Sequence, residues 1–129
     1  MSETITDLKG AVRAFLRAHA QPVPAKTATS GKVHLEVWHV GPRRRALGVE
    51  LGHQGLVNFW VTPLNIPQGM PSSVEVVRKT PKGKEWIDAN DDGANSNLSS
   101  YDDFRTRPIT RLGVTRIEDA RAILDHLNR

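Results

Sequence analysis

Apolar residues near the start of the chain recur every three or four positions, the spacing of one face of an α-helix. They are Ile5, Leu8, Val12, Phe15 and Leu16. Thr4 precedes this stripe and Asp7 follows three residues later, which is the spacing of a capping box. The pattern predicts a helix from about Ile5 to Ala20, so residues 1–20 form an N-terminal helical segment.

The next segment, residues 21–31, is rich in proline, alanine and threonine and also holds serine and glycine. This composition breaks helices and offers little to bury, so the segment is predicted to be a linker. From Lys32 the period of the pattern changes to two. Val33, Leu35 and Val37 alternate with His34, Glu36 and Trp38. The alternation predicts a half-buried strand whose two faces carry these two sets of side chains.

Five further segments have the length and composition of strands. They are residues 45–51, 56–62, 74–79, 84–87 and 109–114. Short turns containing glycine or proline join the early ones, which favours antiparallel hairpins. Residues 56–62 are almost wholly apolar, as is typical of a central strand covered on both faces. Residues 63–72 hold three prolines and a glycine and are predicted to be a surface loop.

The end of the chain returns to helical spacing. A short helix is expected from Ser100 to Arg105. After the last predicted strand, a second capping-box pair, Thr115 and Glu118, marks the start of a terminal helix with an apolar stripe. The stripe consists of Ile117, Ala120, Leu124 and Leu127. The chain is therefore predicted to be a single α+β domain over residues 1–129. Residues 32–129 supply a five- or six-stranded, mainly antiparallel sheet and the C-terminal helices, and the N-terminal and C-terminal helices pack on that sheet.

The amino-acid composition excludes several kinds of chemical site. The chain has 129 residues, enough for one core, and no cysteine, so disulfides, thiolate metal sites and cysteine nucleophiles are excluded. No apolar run approaches the length of a membrane span, and the N-terminus lacks the basic and apolar regions of a secretory signal. A cytoplasmic location without membrane contact is expected. No nucleophile elbow or phosphate-binding glycine loop is present, so we expect no catalytic residues, cofactor or metal.

The net charge is +4, and the basic residues concentrate in two predicted turns and along the first helix. The turn residues are Arg43, Arg44 and Arg45 in the first turn and Arg78, Lys79, Lys82 and Lys84 around the second; the helix residues are Lys9, Arg13 and Arg17. If folding gathers them on one surface, they can follow a phosphate backbone, because neutralising phosphates releases condensed counterions. The predicted function is a small non-catalytic binding module that contacts nucleic acid.

Two tryptophans extend this prediction. Trp38 lies on the polar face of its strand and Trp86 lies two residues after Lys84, so both are candidate stacking platforms for unpaired bases. The candidate nucleic-acid-binding residues are the seven turn residues together with Trp38 and Trp86. The alternative is that the arginines are simply solvated and that the tryptophans cover the second face of the sheet under the first helix.

Acidic residues of the segment 88–103 suggest two alternative functions, a protein-binding regulator and a metal-dependent enzyme. It holds five aspartates and no lysine or arginine, which suits a protein-binding regulator or immunity-type protein that uses this acidic loop and the loop 63–72. Its first part, Asp88 to Gly93, matches half of a calcium-binding loop but has Ser99 in place of the closing glutamate. A weaker alternative is a metal-dependent hydrolase built on four acids, namely Glu36, Glu50, Asp88 and Asp92.

Overall fold

The computed structural model describes residues 4–24, 35–52, 54–62, 65–67, 69–70, 73–82, 85–87, 104 and 109–129, with the backbone alone for 78–82 and 85–87. The described helices and strands are α1 (Ile5–His19), β1 (Ala20–Pro22), β2 (Leu35–Val40), β3 (Arg45–Glu50), β4 (Val57–Val61), β5 (Glu75–Lys82), β6 (Glu85–Ile87), β7 (Ile109–Val114) and α2 (Ile117–Leu127). The predicted α+β class is confirmed.

The strands form an open sheet in the order β1-β2-β3-β4-β7-β5-β6, and every neighbouring pair is antiparallel. Strand β6 pairs only with Thr80–Lys82, the distal part of β5. Strand β1 was not predicted: Gln21 and Pro22, assigned to the linker, pair with His39 and Trp38 at the sheet edge. Proline is tolerated there because an edge strand leaves one row of N–H groups unpaired.

Both helices contribute to the main hydrophobic core, on one face of the sheet. Leu8, Val12 and Leu16 of α1 and four residues of α2 are buried there against alternate residues of the strands, including Val57, Phe59 and Val61 of β4. All five residues of β4 are buried, as predicted for a central strand. A second cluster on the opposite face contains Val37, Ala46, Trp60, Phe104 and Ile109.

The two helix N-termini differ. The predicted capping box of α1 is confirmed: the Thr4 hydroxyl accepts the Asp7 N–H and the Asp7 carboxylate accepts the Thr4 N–H, each at 3.1 Å. The capping box predicted for α2 is wrong, because the N-cap of α2 is Arg116 and makes no side-chain cap bond. The helix begins one residue later than the prediction requires, and Glu118 instead forms an ion pair with Arg116.

The C-terminal ends of both helices meet the β2–β3 turn, residues 41–44, and we call this end of the sheet the turn end. The backbone N–H of Gly41 donates to the carbonyl oxygen of His19, the last residue of α1, at 2.9 Å. The guanidinium group of Arg45 donates to the carbonyl oxygen of His126, in the last turn of α2. One hairpin thus donates a hydrogen bond to a carbonyl group in the last turn of each helix, where carbonyl groups lack the regular donors of the helix interior.

Gly41 has no room for a side chain at this junction. Its φ is +72°, and an added Cβ would lie 2.8 Å from Cα of Asn128 and 2.9 Å from its carbonyl oxygen. The left-handed conformation alone costs an L-residue about 1–2 kcal/mol. We therefore expect Gly41→Ala to lower the free energy of unfolding by at least about 2 kcal/mol, measured by urea denaturation.

Gly10→Ala is the matched control. Gly10 lies within α1, and an added Cβ meets nothing within 4 Å, so alanine is expected to raise the free energy of unfolding by about 0.5–1 kcal/mol. Effects of the same sign at both glycines, or an unchanged stability of Gly41→Ala, would contradict the described junction.

His126 makes stability at the turn end depend on pH. Partial burial lowers the pKa of His126, and the positive charges of Arg45 and Arg129 lower that pKa further. The unfolded chain therefore binds this proton more readily than the folded chain does. The contribution of His126 to stability is complete above the ordinary histidine pKa of about 6.5 and is lost as the pH falls below that value.

The test compares the wild type with His126→Gln by urea denaturation at pH 7.5 and pH 5.0. The wild type should lose more stability than the variant on acidification, because glutamine does not take up a proton. Identical losses for the two proteins would show that His126 does not supply the pH dependence.

Candidate anion-binding site

A cavity of about 630 Å³ opens at the turn end, between the end of α1, strands β1 and β2, the β2–β3 turn and the residue that follows α2. We call it the basic pocket. Its polar lining residues are Arg17, His19, Gln21, His39, Arg44 and Asn128. No aspartate or glutamate is among the described residues that line it. The arrangement presents hydrogen-bond donors with positive charge, which is the chemistry that binds anions.

The pocket brings together two basic groups that are distant in sequence. Arg17 belongs to the basic stripe of α1, and Arg44 belongs to the β2–β3 turn. The turn is closed by a hydrogen bond from the Arg44 N–H to the Gly41 carbonyl oxygen at 3.1 Å. Because the same turn also bonds the end of α1, the positions of Arg17 and Arg44 relative to each other are set by backbone contacts.

The three consecutive arginines of the turn differ in their surroundings. Arg43 and Arg44 are exposed, whereas Arg45 is partly buried and bonds the end of α2. Within the described part of the chain, no carboxylate pairs with Arg17, Arg43 or Arg44. Arginines elsewhere do have such partners: Arg13 pairs with Glu36, Arg111 with Glu75 and Arg116 with Glu118. In the described ranges, therefore, no carboxylate offsets the charge of the pocket arginines.

Arg44 also has an uncommon backbone conformation. Its φ is 51°, and among the described residues it is the non-glycine residue with a positive φ. This conformation is unfavourable for residues other than glycine, asparagine and aspartate, and such positions concentrate at functional sites. Arg44 therefore has this backbone conformation at some cost to stability.

The second basic hairpin runs toward the same end of the sheet. At the start of β7, Thr110 pairs with Val61, the last residue of β4, and Ile109 pairs with Lys79 of β5. Strand β5 continues beyond this level to Lys82. Three steps separate β3 from β5 in the strand order, roughly 14 Å at about 4.8 Å per step. The side chains of Arg78, Lys79, Lys82 and Trp86, and the whole of Lys84, lie outside the described residues.

Trp38 lies on the helix-covered face of the sheet. It packs against the main core, is partly buried, and its indole N–H donates to the Glu36 carboxylate at 3.4 Å. Arg13 of α1 contacts the other oxygen of the same carboxylate, also at 3.4 Å. These contacts agree with the alternative in which Trp38 covers the sheet under the first helix, and Trp38 is not among the described residues that line the basic pocket.

Sequence reasoning did not assign the histidines of the pocket. His19 ends α1, and His39 faces away from Glu36 on β2, so nothing in the spacing joins them. They meet because β1 pairs with β2, with Gln21 opposite His39, and β1 follows α1 without an intervening loop. To place His19 and His39 at one site from the sequence, strand β1 would have had to be predicted.

A polar cluster on the opposite face of the sheet is internally satisfied. The Trp60 indole N–H donates to Glu50, and Arg111 donates to Asn58 Oδ1 at 2.9 Å and to the Glu75 carboxylate. No buried polar side-chain atom of the described residues lacks a hydrogen-bond partner. The contacts pair the polar groups of this face with one another and brace the strands that carry them.

The alternative sites receive no support from the described residues. Glu36 and Glu50 lie on opposite faces of the sheet, because Leu35 pairs with Glu50 and Glu36 pairs with Val49. No group of three or more histidines, aspartates or glutamates in the described ranges is placed to hold a metal ion. The acidic loop 88–103, with Asp88, Asp92 and the partial calcium loop, lies outside the described residues, as does the helix predicted after Ser100.

Comparison with known proteins gives no match. No family model, no curated protein and no solved structure is significantly similar to this chain. Among the described residues, neither helix has the length and apolar character needed to cross a membrane.

Proposed function

We propose that this chain is a small, non-catalytic module that binds nucleic acid through the turn end of its sheet. The observation that carries the proposal is the convergence of Arg17 and Arg44 on one pocket, beside the exposed Arg43, without carboxylate partners among the described residues. Unpaired guanidinium groups on one surface are the electrostatic feature that phosphate backbones recognise.

The placement of the second hairpin supports an extended contact. The backbone of Arg78, Lys79 and Lys82 runs along the same end of the sheet as the β2–β3 turn. The separation of roughly 14 Å corresponds to about four stacked nucleotides at roughly 3.4 Å per step. A short segment of single strand is therefore long enough to contact both hairpins.

A purely structural role at the helix ends accounts for only one of the three turn arginines, Arg43, Arg44 and Arg45. Cations near a helix C-terminus are favourable because the terminal carbonyl groups carry partial negative charge. Arg45 has this role, since it donates directly to a carbonyl group of α2. Arg43 and Arg44 make no described side-chain bond to a helix end, and Arg44 has an unfavourable backbone conformation. Binding of an external anion accounts for these two.

The first test compares two charge-matched double variants. Arg43→Gln/Arg44→Gln removes two charges at the turn end, and Arg116→Gln/Arg121→Gln removes two exposed charges on and just before α2. Binding of a fluorescent single-stranded oligonucleotide is measured by anisotropy over a range of salt concentrations. The turn-end variant should bind at least about tenfold more weakly at low salt, and its salt slope should fall by about 1.4.

The control variant should retain most of the affinity, because its changes lie away from the proposed surface. Equal weakening by both doubles would show attraction to net charge alone. Absence of binding by the wild type at low salt would remove the proposal.

The second test uses the backbone of Arg44. Glycine adopts a positive φ without a steric penalty, so Arg44→Gly is expected to raise the free energy of unfolding by up to about 1 kcal/mol. The same change removes a charge from the pocket and should weaken oligonucleotide binding. Urea denaturation and anisotropy on one preparation measure both effects. A variant that loses stability and affinity together would indicate that Arg44 acts mainly in the fold.

A further inference from the structure

We infer that the basic pocket binds a terminal phosphate group, that is, a phosphomonoester at a strand end or on a free nucleotide, and this inference rests on the proposed function. The first reason is that polar side chains of several elements converge on one opening, whereas an internal phosphate backbone contacts a surface along its length. The opening is lined by Arg17 and His19 at the end of α1, His39 on β2 and Arg44 in the turn. Its volume of about 630 Å³ lies within the range of small-ligand sites.

The second reason is charge. A phosphomonoester carries roughly −1.5 to −2 charges at neutral pH and has three strong acceptor oxygens. An internal phosphodiester carries one negative charge for each nucleotide of its strand. Two guanidinium groups on one cavity match the monoester in charge, and each can donate two parallel hydrogen bonds to phosphate oxygens.

The third reason is that three carbonyl groups in the last turns of the two helices already accept hydrogen bonds. Helix C-termini repel anions through their free carbonyl oxygens. Here the His19 carbonyl oxygen accepts the Gly41 N–H, the Leu16 carbonyl oxygen accepts the Ala20 N–H, and the His126 carbonyl oxygen accepts the Arg45 guanidinium group. These bonds reduce the negative potential that an incoming phosphate meets, and the described lining adds no carboxylate.

The experiment measures dissociation constants for oligonucleotides of one sequence with a 5′-phosphate, a 3′-phosphate or hydroxyl groups at both ends, together with a free nucleoside monophosphate. We expect one phosphorylated end to bind about tenfold more tightly than the hydroxyl form, because the pocket gains charged hydrogen bonds. Arg17→Gln/His19→Gln should abolish that preference, and it should weaken binding of the hydroxyl oligonucleotide no more than Arg43→Gln does, because each variant removes one arginine charge from the proposed surface. Arg43→Gln, outside the pocket lining, should weaken all oligonucleotides alike and keep the preference.

The outcomes separate the two proposals. Equal affinity for phosphorylated and hydroxyl ends overturns the terminal-phosphate site and leaves nucleic-acid binding standing. Binding of the mononucleotide without any oligonucleotide binding supports the phosphate pocket and overturns the nucleic-acid function. If none of the four ligands binds at low salt, both proposals are wrong. A preference that survives Arg17→Gln/His19→Gln would place the phosphate elsewhere on the protein.

Discussion

The β2–β3 turn holds the C-terminal ends of both helices against the sheet, and the geometry of the candidate site depends on this junction. Gly41 contributes its N–H to α1 and lies so close to Asn128, just after α2, that there is no room for a Cβ. Arg45, the first residue of β3, completes the junction with its bond to α2. Since one tight turn contacts both helices, the backbone positions of the residues around it are fixed relative to one another.

The same junction sets the electrostatics of the turn end. Each helix C-terminus carries the equivalent of roughly half a negative charge, so two of them offset about one positive charge. Four guanidinium groups lie in or beside the turn, those of Arg17, Arg43, Arg44 and Arg45. The helix ends thus lower the repulsion between these groups without cancelling their charge, and a positive surface is left for an anionic ligand.

Most of the architecture follows from the spacing of apolar residues. The period of the apolar pattern changes from about 3.6 to 2 after the first helix and returns to about 3.6 before the last helix. These changes predicted both helices and six of the seven strands. Strand β1 was not predicted because it has only three residues, one of them proline, and these show no alternation of apolar and polar positions. The start of α2 was misplaced because Thr115 has the right spacing for a capping box, whereas the buried Asp119, which bonds Ser73 at 2.6 Å, occupies the N3 position.

The candidate site was predictable only in part, since it depends on register and on turn conformation. Pairing of Leu35 with Glu50 decides that Glu36 and Glu50 face opposite ways, and pairing of Gln21 with His39 brings a histidine to the pocket. Neither register is encoded in the spacing of one strand, because it is set by the partner strand and the turn between them. Arg17 and Arg44, which are distant in sequence, line one pocket; for the second hairpin, the described backbone gives only its direction.

Three adjacent arginines show why charge clusters in sequence do not translate directly into binding surfaces. Arg45 begins a strand, so its side chain follows the sheet geometry to the end of α2 and is used there. Arg44 has a positive φ, which turns its side chain out of line with that of Arg45 and onto the pocket. Arg43 remains exposed in the turn. The backbone conformation of the turn therefore divides one run of charge into a structural contact, a pocket residue and an exposed cation, and substitution of the whole run would confound these roles.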